Sequence, residues 1–148
     1  MSVTPKVDAP FSDACLFCKV ARGDVATHMV AESPSFLVFL DHRPLFRGHC
    51  LVIPRGHYET IDDLPEPLVG GVFLEVQRVS RALTRALGAD GTFVAMNNRV
   101  SQSVPHVHAH VVPRRKKDGL KGFFWPRESY ESDEAAAATA AAIRAALV

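Results

Sequence analysis

Nowhere in the 148 residues is there an apolar run long enough to span a bilayer. The amino end also lacks the continuous apolar stretch that directs a chain to secretion. Cysteine is scarce: three residues, an odd number, speak against a disulfide framework and for a reducing compartment. An excess of one charge is missing too. Seventeen Lys and Arg against sixteen Asp and Glu leave a net charge of +1, so no overall field draws the chain to DNA or an acidic membrane surface. No internal repeat is visible. These absences predict a soluble cytoplasmic protein with neither nucleic acid nor membrane as partner. At 47% hydrophobic residues, the chain can bury the core of one ordinary domain.

Histidine, by contrast, is concentrated. Three of the seven histidines fall in Gln102-Ser103-Val104-Pro105-His106-Val107-His108-Ala109-His110-Val111-Val112-Pro113. Side chains of a strand alternate between faces. Read as one strand from Gln102 to Pro113, the segment lines His106, His108 and His110 along one face and turns Val107, Ala109 and Val111 toward a core. The bland alternative is a solvated strand rich in histidine. Two functional readings compete with it: imidazoles for nucleophilic attack and proton transfer, or ligands of a hydrolytic metal.

The rest of the chain reads as follows. Residues 1–12, with Pro5 and Pro10 among small polar residues, form a flexible lead. Cys15-x-x-Cys18 is open to three readings: a redox pair, a plain buried pair, or half of a tetrahedral metal site. Phe17 to Arg22 is a short helix closed by Gly23. Met29 to Glu32 and Phe36 to Leu40 form a hairpin about Ser33-Pro34-Ser35. Asp41, by itself, is a turn carboxylate. Gly48 to Pro54 is a third strand, with His49, Leu51 and Ile53 on one face, and Cys50 packing as a small hydrophobe. Asp63 caps a long helix whose first turn holds Pro65 and whose stripe is Leu68, Val72, Val76, Val79, Leu83 and Leu87. Gly70-Gly71 weakens its early turns. Gly91 to Met96 is a further strand. After the histidines comes a basic run, Arg114-Arg115-Lys116-Lys117, read either as a solvated loop or as a contact for extra phosphates. Ser132, Asp133 and Glu134 open an alanine-rich terminal helix.

The run His106-x-His108-x-His110 followed by Val111-Val112 resembles the signature of the histidine triad family of nucleotide hydrolases and transferases. Cys15-Leu16-Phe17-Cys18, Phe39-Leu40-Asp41, Gly48-His49-Cys50-Leu51-Val52-Ile53-Pro54-Arg55-Gly56-His57 and Gln102-Ser103-Val104 resemble further family segments in the same order, covering about residues 15–126. The resemblance implies an α+β fold: about five mostly antiparallel strands with one long and one short helix, in a domain of residues 13–126 followed by a helical tail, 127–148. It implies a structural zinc on Cys15, Cys18, His57 and His106. It makes His108 the nucleophile toward the α-phosphorus of a nucleoside 5′-phosphate conjugate, with His49 hydrogen-bonding and orienting that imidazole and His110 holding phosphate and assisting the leaving group. Asp41 would accept from ribose hydroxyls, and Asn97 or Asn98, Gln102 and Ser103 would contact phosphate. No catalytic metal is required, although magnesium could accompany a polyphosphate.

The expected substrates are conjugates of AMP or GMP, either purine nucleoside phosphoramidates or dinucleoside polyphosphates. The resemblance also implies a homodimer paired through the long helix. The stretch Asn97–Gln102 is shorter than the glycine-rich loop of the phosphoramidase-like branch, which leaves the leaving group open between these two. A reading from another class is a nucleotide-binding regulatory protein whose catalysis is incidental.

Overall fold

The computed structural model describes residues 9–121 and 127–147. The lead segment before residue 9 and the aromatic cluster at 123–126 fall outside the described residues. The chain separates into two compact units, one ending at Asp118 and the other beginning at Gly119.

The first unit opens with α1 (Leu16–Arg22), capped at its start by the Cys15 thiol, which accepts from the Cys18 amide, and closed by left-handed Gly23. Then follow β1 (Met29–Glu32), β2 (Phe36–Leu40), β3 (Cys50–Pro54), a 3-10 turn (Ile61–Asp63), α2 (Glu66–Leu87), β4 (Gly91–Ala95) and β5 (Ala109–Arg114). The strands form one sheet in the order β1-β2-β3-β5-β4, every neighbouring pair antiparallel. The second unit contains α3 (Asp133–Ala146), opened by the Ser132 hydroxyl accepting from the Ala135 amide.

Strand alternation divides the core into two clusters, one on each face of the sheet. Val38, Cys50, Val52, Ala109 and Val111 meet Val72, Val76, Val79 and Leu83 of α2. Leu37, Phe39, Leu51 and Ile53 meet Cys15, Phe17, Cys18 and Val20 of and around α1. All five residues of β3 are buried because the strand lies between β2 and β5 and is covered on both faces. Cys50 packs as an apolar residue, and burial pushes its thiol up to about 11.

Two expectations need correction. The histidine run is not one strand: β5 starts at Ala109, and the β3–β5 ladder ends at the pair Val52–Ala109. Beyond that pair, the Pro54 carbonyl is taken by the His106 ring, and the Val107 amide donates to the Tyr58 carbonyl, so the ladder has no partners left. Asp63 does not cap α2. Its carboxylate accepts from the Thr60 amide and hydroxyl, closing the 3-10 turn, and α2 begins after Pro65 without a side-chain cap. Gly71 has a packing role besides its low helix propensity: a Cβ there would strike the Phe36 ring, and the glycine lets α2 lie close to β2.

Candidate functional site

His49 immediately precedes β3, and His110 is the second residue of β5. Residues 51 and 110 are register partners, and His110 alternates with Ala109 and Val111, which face α2. His110 therefore lies on the α1 side of the sheet. His108 and His106 reach the same side from the segment before β5. The His108 and His110 ring centroids are 5.0 Å apart, and the Phe17 ring stands edge-on to His108 at 5.2 Å and to His106 at 5.9 Å. Outside the ladder, the alternation still gathers the three imidazoles.

Backbone groups fix which nitrogen of each ring carries a proton. His108 Nδ1 lies 2.8 Å from the His106 carbonyl, which can only accept; Nδ1–H therefore donates and Nε2 keeps its lone pair. His106 Nε2 donates to the Pro54 carbonyl at 2.8 Å, leaving its Nδ1 lone pair toward Cys15 Sγ at 3.4 Å and Cys18 Sγ at 3.6 Å. His49 Nδ1 accepts the Leu45 amide at 3.1 Å, so its proton sits on Nε2 and is donated to His110 Nδ1 at 2.9 Å. His110 then carries its own proton on Nε2. The expected contact of His49 with His108 is replaced by this contact with His110, and the His106 carbonyl orients His108 instead.

Burial keeps these rings neutral. It lowers His108, with the His106 carbonyl and Asp41 opposing, and it lowers His49 against the pull of Asp41. Burial, with His108 and His49 adding to it, takes His110 down to about 4. His106 is fully buried and also held down to about 4, chiefly by desolvation.

Asp41 sits just past β2. One carboxylate oxygen accepts the Arg43 amide at 2.8 Å, as a turn aspartate would, and the other lies 3.6 Å from His49 Nε2. Asp41 also borders a shallow cleft of about 450 Å³ lined with Ala26, Thr27, His28, Leu40 and His42. Asp41, His49 and His110 lie close enough to suggest a cation site. The tautomers argue against it: a metal on His49 Nε2 would require Nδ1 to hold the proton, where the Leu45 amide already donates.

Cys15, Cys18, His57 and His106 converge as a second four-residue group. Cys18 Sγ is 3.3 Å from His57 Nδ1. A tetrahedral ion bound at the usual zinc–sulfur and zinc–nitrogen lengths sets its nitrogen and sulfur ligands about 3.5 Å apart. The spacings here, 3.3 to 3.6 Å, meet that requirement. Burial pushes the Cys18 thiol up to about 11, its neighbour Cys15 adding to the effect, so a cation is the natural compensation for thiolates in this place. The residues present therefore fit a metal ion.

The loop before the histidines is fastened from within. Asn97 Nδ2 donates to the Ser101 carbonyl, and Asn98 Oδ1 accepts from the Ile61 amide. Gln102 accepts from the Arg99 amide at 2.8 Å and donates to the Glu59 carbonyl at 2.5 Å, while Ser103 is exposed. The basic run is partly committed as well. Arg114 pairs with Asp118, and Arg115 donates to the Leu87 and Gly88 carbonyls at the end of α2.

Sequence reasoning missed Phe17, which had no signal beyond lying between two cysteines. It also missed the carbonyls of Pro54 and His106 and the amide of Leu45, whose roles belong to the backbone and leave no mark in residue type.

Fold and site together define a class: an antiparallel sheet presenting neutral, oriented imidazoles beside a four-donor Cys–His cluster that fits a metal ion. A family model described as the HIT domain matches residues 22–117. An adenylylsulfatase of Arabidopsis thaliana is 35% identical over 78% of this chain; the match spans only 57% of that relative's length. An adenosine 5′-monophosphoramidase of Schizosaccharomyces pombe is 33% identical over 82% of this chain and 90% of its own. Among solved structures, a HIT family member from Bacillus subtilis superposes with a TM-score of 0.83 at 30% identity, covering 92% of this chain and 99% of that one. A zinc-bound histidine triad family protein from Mycobacterium smegmatis does so at 0.70 and 37% identity, covering 90% and 98%. The chain belongs to the histidine triad (HIT) family.

Proposed function

We propose that the protein hydrolyses nucleoside 5′-phosphate conjugates at the α-phosphorus, through a nucleotidyl intermediate on His108, and releases a nucleoside monophosphate. The observation that carries this reading is the His108 tautomer: with Nδ1–H engaged by the His106 carbonyl, the free lone pair is on Nε2 of a neutral, buried ring. Nε2 attacks phosphorus, and the bond from phosphorus to the leaving group breaks with its electron pair going to that group. Water then attacks phosphorus and gives its proton to His110 where that ring has passed its own to the leaving group, or otherwise to solvent; the P–N bond breaks with its electron pair returning to Nε2, and His108 is restored. The Nε2–H of His110, set in place by His49, donates to a phosphate oxygen or to the departing atom.

Asp41 is proposed to accept from the ribose hydroxyls through the oxygen that the Arg43 amide leaves free. Ser103 is proposed to meet phosphate. Asn97, Asn98 and Gln102 are proposed to shape the loop that presents it, and the second Nε2–H of Gln102, beyond the one given to the Glu59 carbonyl, is proposed to reach phosphate. The metal in the Cys15–Cys18–His57–His106 cluster is proposed to be zinc in a structural role, as the donor set favours. The relatives named as an adenylylsulfatase and an adenosine 5′-monophosphoramidase support an adenylate conjugate as substrate, and dinucleoside polyphosphates stay within the proposal on the sequence resemblance alone.

Purified wild type and His108→Ala would be offered adenosine 5′-phosphoramidates, adenylyl sulfate and diadenosine polyphosphates, and AMP release followed. Wild type should release AMP, and the variant should be slower by at least about a thousandfold, as when a nucleophile is removed. Equal rates would refute the assignment of His108. AMP binding without turnover by either protein would favour the regulatory reading.

A further inference from the structure

His106 takes part in two arrangements at once. Its ring belongs to the metal cluster, with Nδ1 toward both cysteines and Nε2–H on the Pro54 carbonyl. Its own carbonyl is the acceptor that fixes the His108 tautomer at 2.8 Å. A second connection starts from the other side of the cluster. Phe17 stands between the ligands Cys15 and Cys18, is buried, and presents its ring edge-on to His108, His106 and Phe39, at interplanar angles of 83°, 78° and 72°. A third tie runs from Tyr58, next to the ligand His57, whose carbonyl accepts the Val107 amide at 2.7 Å. The segment 106–108 is therefore held on three sides by atoms belonging to, or adjacent to, the metal ligands.

We infer that His106 and Phe17 are positioning residues that carry the order of the filled metal cluster to the His108 ring, so that metal occupancy sets the orientation and tautomer of the nucleophile. The cluster is then more than a fold-stabilising clip. With the ion bound, the His106 ring is fixed, its carbonyl direction follows, and the Cys15–Cys18 loop holds the Phe17 ring in its T-shaped contact with His108. With the ion gone, two thiols and two imidazoles must share the same space, and both contacts to His108 loosen. The inference rests on the proposed role of His108 for its catalytic consequence, but not for its structural one.

The test uses full-length protein labelled with 15N in histidine, loaded with zinc. Long-range proton–nitrogen spectra report which nitrogen of each imidazole is protonated. Wild type should show His108 as a single Nδ1–H tautomer, and protein stripped by a chelator should show a mixture of both. Stripping can unfold the chain, so Phe17→Leu, an apolar exchange that keeps most of the volume, provides the deciding arm in loaded protein. Its zinc content should equal that of wild type, its His108 resonances should shift or broaden, and its kcat for AMP release should fall about tenfold with KM changed less than about twofold. Wild-type His108 resonances and kcat in zinc-loaded Phe17→Leu would overturn the inference. If wild type turned over no conjugate while its His108 spectrum still responded to Phe17→Leu, the proposed hydrolysis would fail and the positioning would stand.

Discussion

Each imidazole of the row has one nitrogen assigned by the main chain or by the next ring: His106 by the Pro54 carbonyl, His108 by the His106 carbonyl, His49 by the Leu45 amide, and His110 by His49. The chemistry at this scale comes from how neutral rings are ordered, with no charge on any of them. That has a consequence for acid stability. The folded chain holds His110 down to about 4, whereas an unfolded histidine takes its proton near 6.5. Above about pH 6.5 neither state binds that proton, and the full contribution of His110 to stability is present. As pH falls toward 4 the unfolded chain gains the proton first, and stability is lost through that window. His110→Asn removes the titrating group and keeps an acceptor for His49. Denaturation midpoints measured from pH 7 to pH 4 should fall less steeply in the variant, and parallel curves would contradict this account.

Among the elements, α2 separates propensity from packing. Gly70 and Gly71 are neighbours in the helix, yet a Cβ at Gly70 meets nothing within 4 Å while one at Gly71 strikes the Phe36 ring. Gly70→Ala should stabilise the protein by roughly 0.5–1 kcal/mol, the ordinary gain of alanine over glycine in a helix. Gly71→Ala should destabilise it by about 1–3 kcal/mol, the cost of overpacking. Thermal unfolding of the two variants would show opposite shifts in Tm, and shifts of the same sign would count against the close approach of α2 to β2. Much at this scale was legible in the sequence. The hairpin of β1 and β2 has the expected bounds because Ser33-Pro34-Ser35 punctuates two apolar runs, and the stripe on α2 buries Val72, Val76, Val79 and Leu83 as its spacing requires. The grouping of the histidines came through because it depends on parity, whereas the convergence of Cys15, Cys18, His57 and His106 was implied only by the family resemblance, since Cys15-x-x-Cys18 alone left three readings open. What did not come through depends on competition between bonds. The strand begins at Ala109 rather than earlier because side chains claim the carbonyls of Pro54 and His106, and Asp63 turns to Thr60 because a Thr-x-x-Asp box lay nearer than the helix it was expected to cap.

At the scale of the whole molecule, among the described residues no helix is long and apolar enough to cross a membrane. The exposed apolar residues include Phe73 and Leu74 of α2, and Val94 of β4, an edge strand of the sheet. The Ser80 hydroxyl, 2.8 Å from that of Thr92, ties the helix to that strand. Pairing of two copies through α2 is proposed on this ground. Leu74 is 63% exposed, so Leu74→Glu should leave the fold intact and convert a dimer into a monomer, read by sedimentation at micromolar concentration. A wild type already monomeric there would end the proposal.

The amide of His57 donates to the Pro10 carbonyl at 2.7 Å, and a Cβ on Gly56 would stand 3.2 Å from that of Ala9. Ala9 and Pro10 thus lie against Gly56 and His57 at one wall of the Cys–His cluster. How long an ion resides there should consequently depend on how the amino end has been processed. If the proposed zinc is bound, a zinc-loaded chain trimmed past Pro10 should surrender it to a colorimetric chelator faster than the untrimmed chain does, so that loss of Ala9 and Pro10 is recorded as a change in metal off-rate.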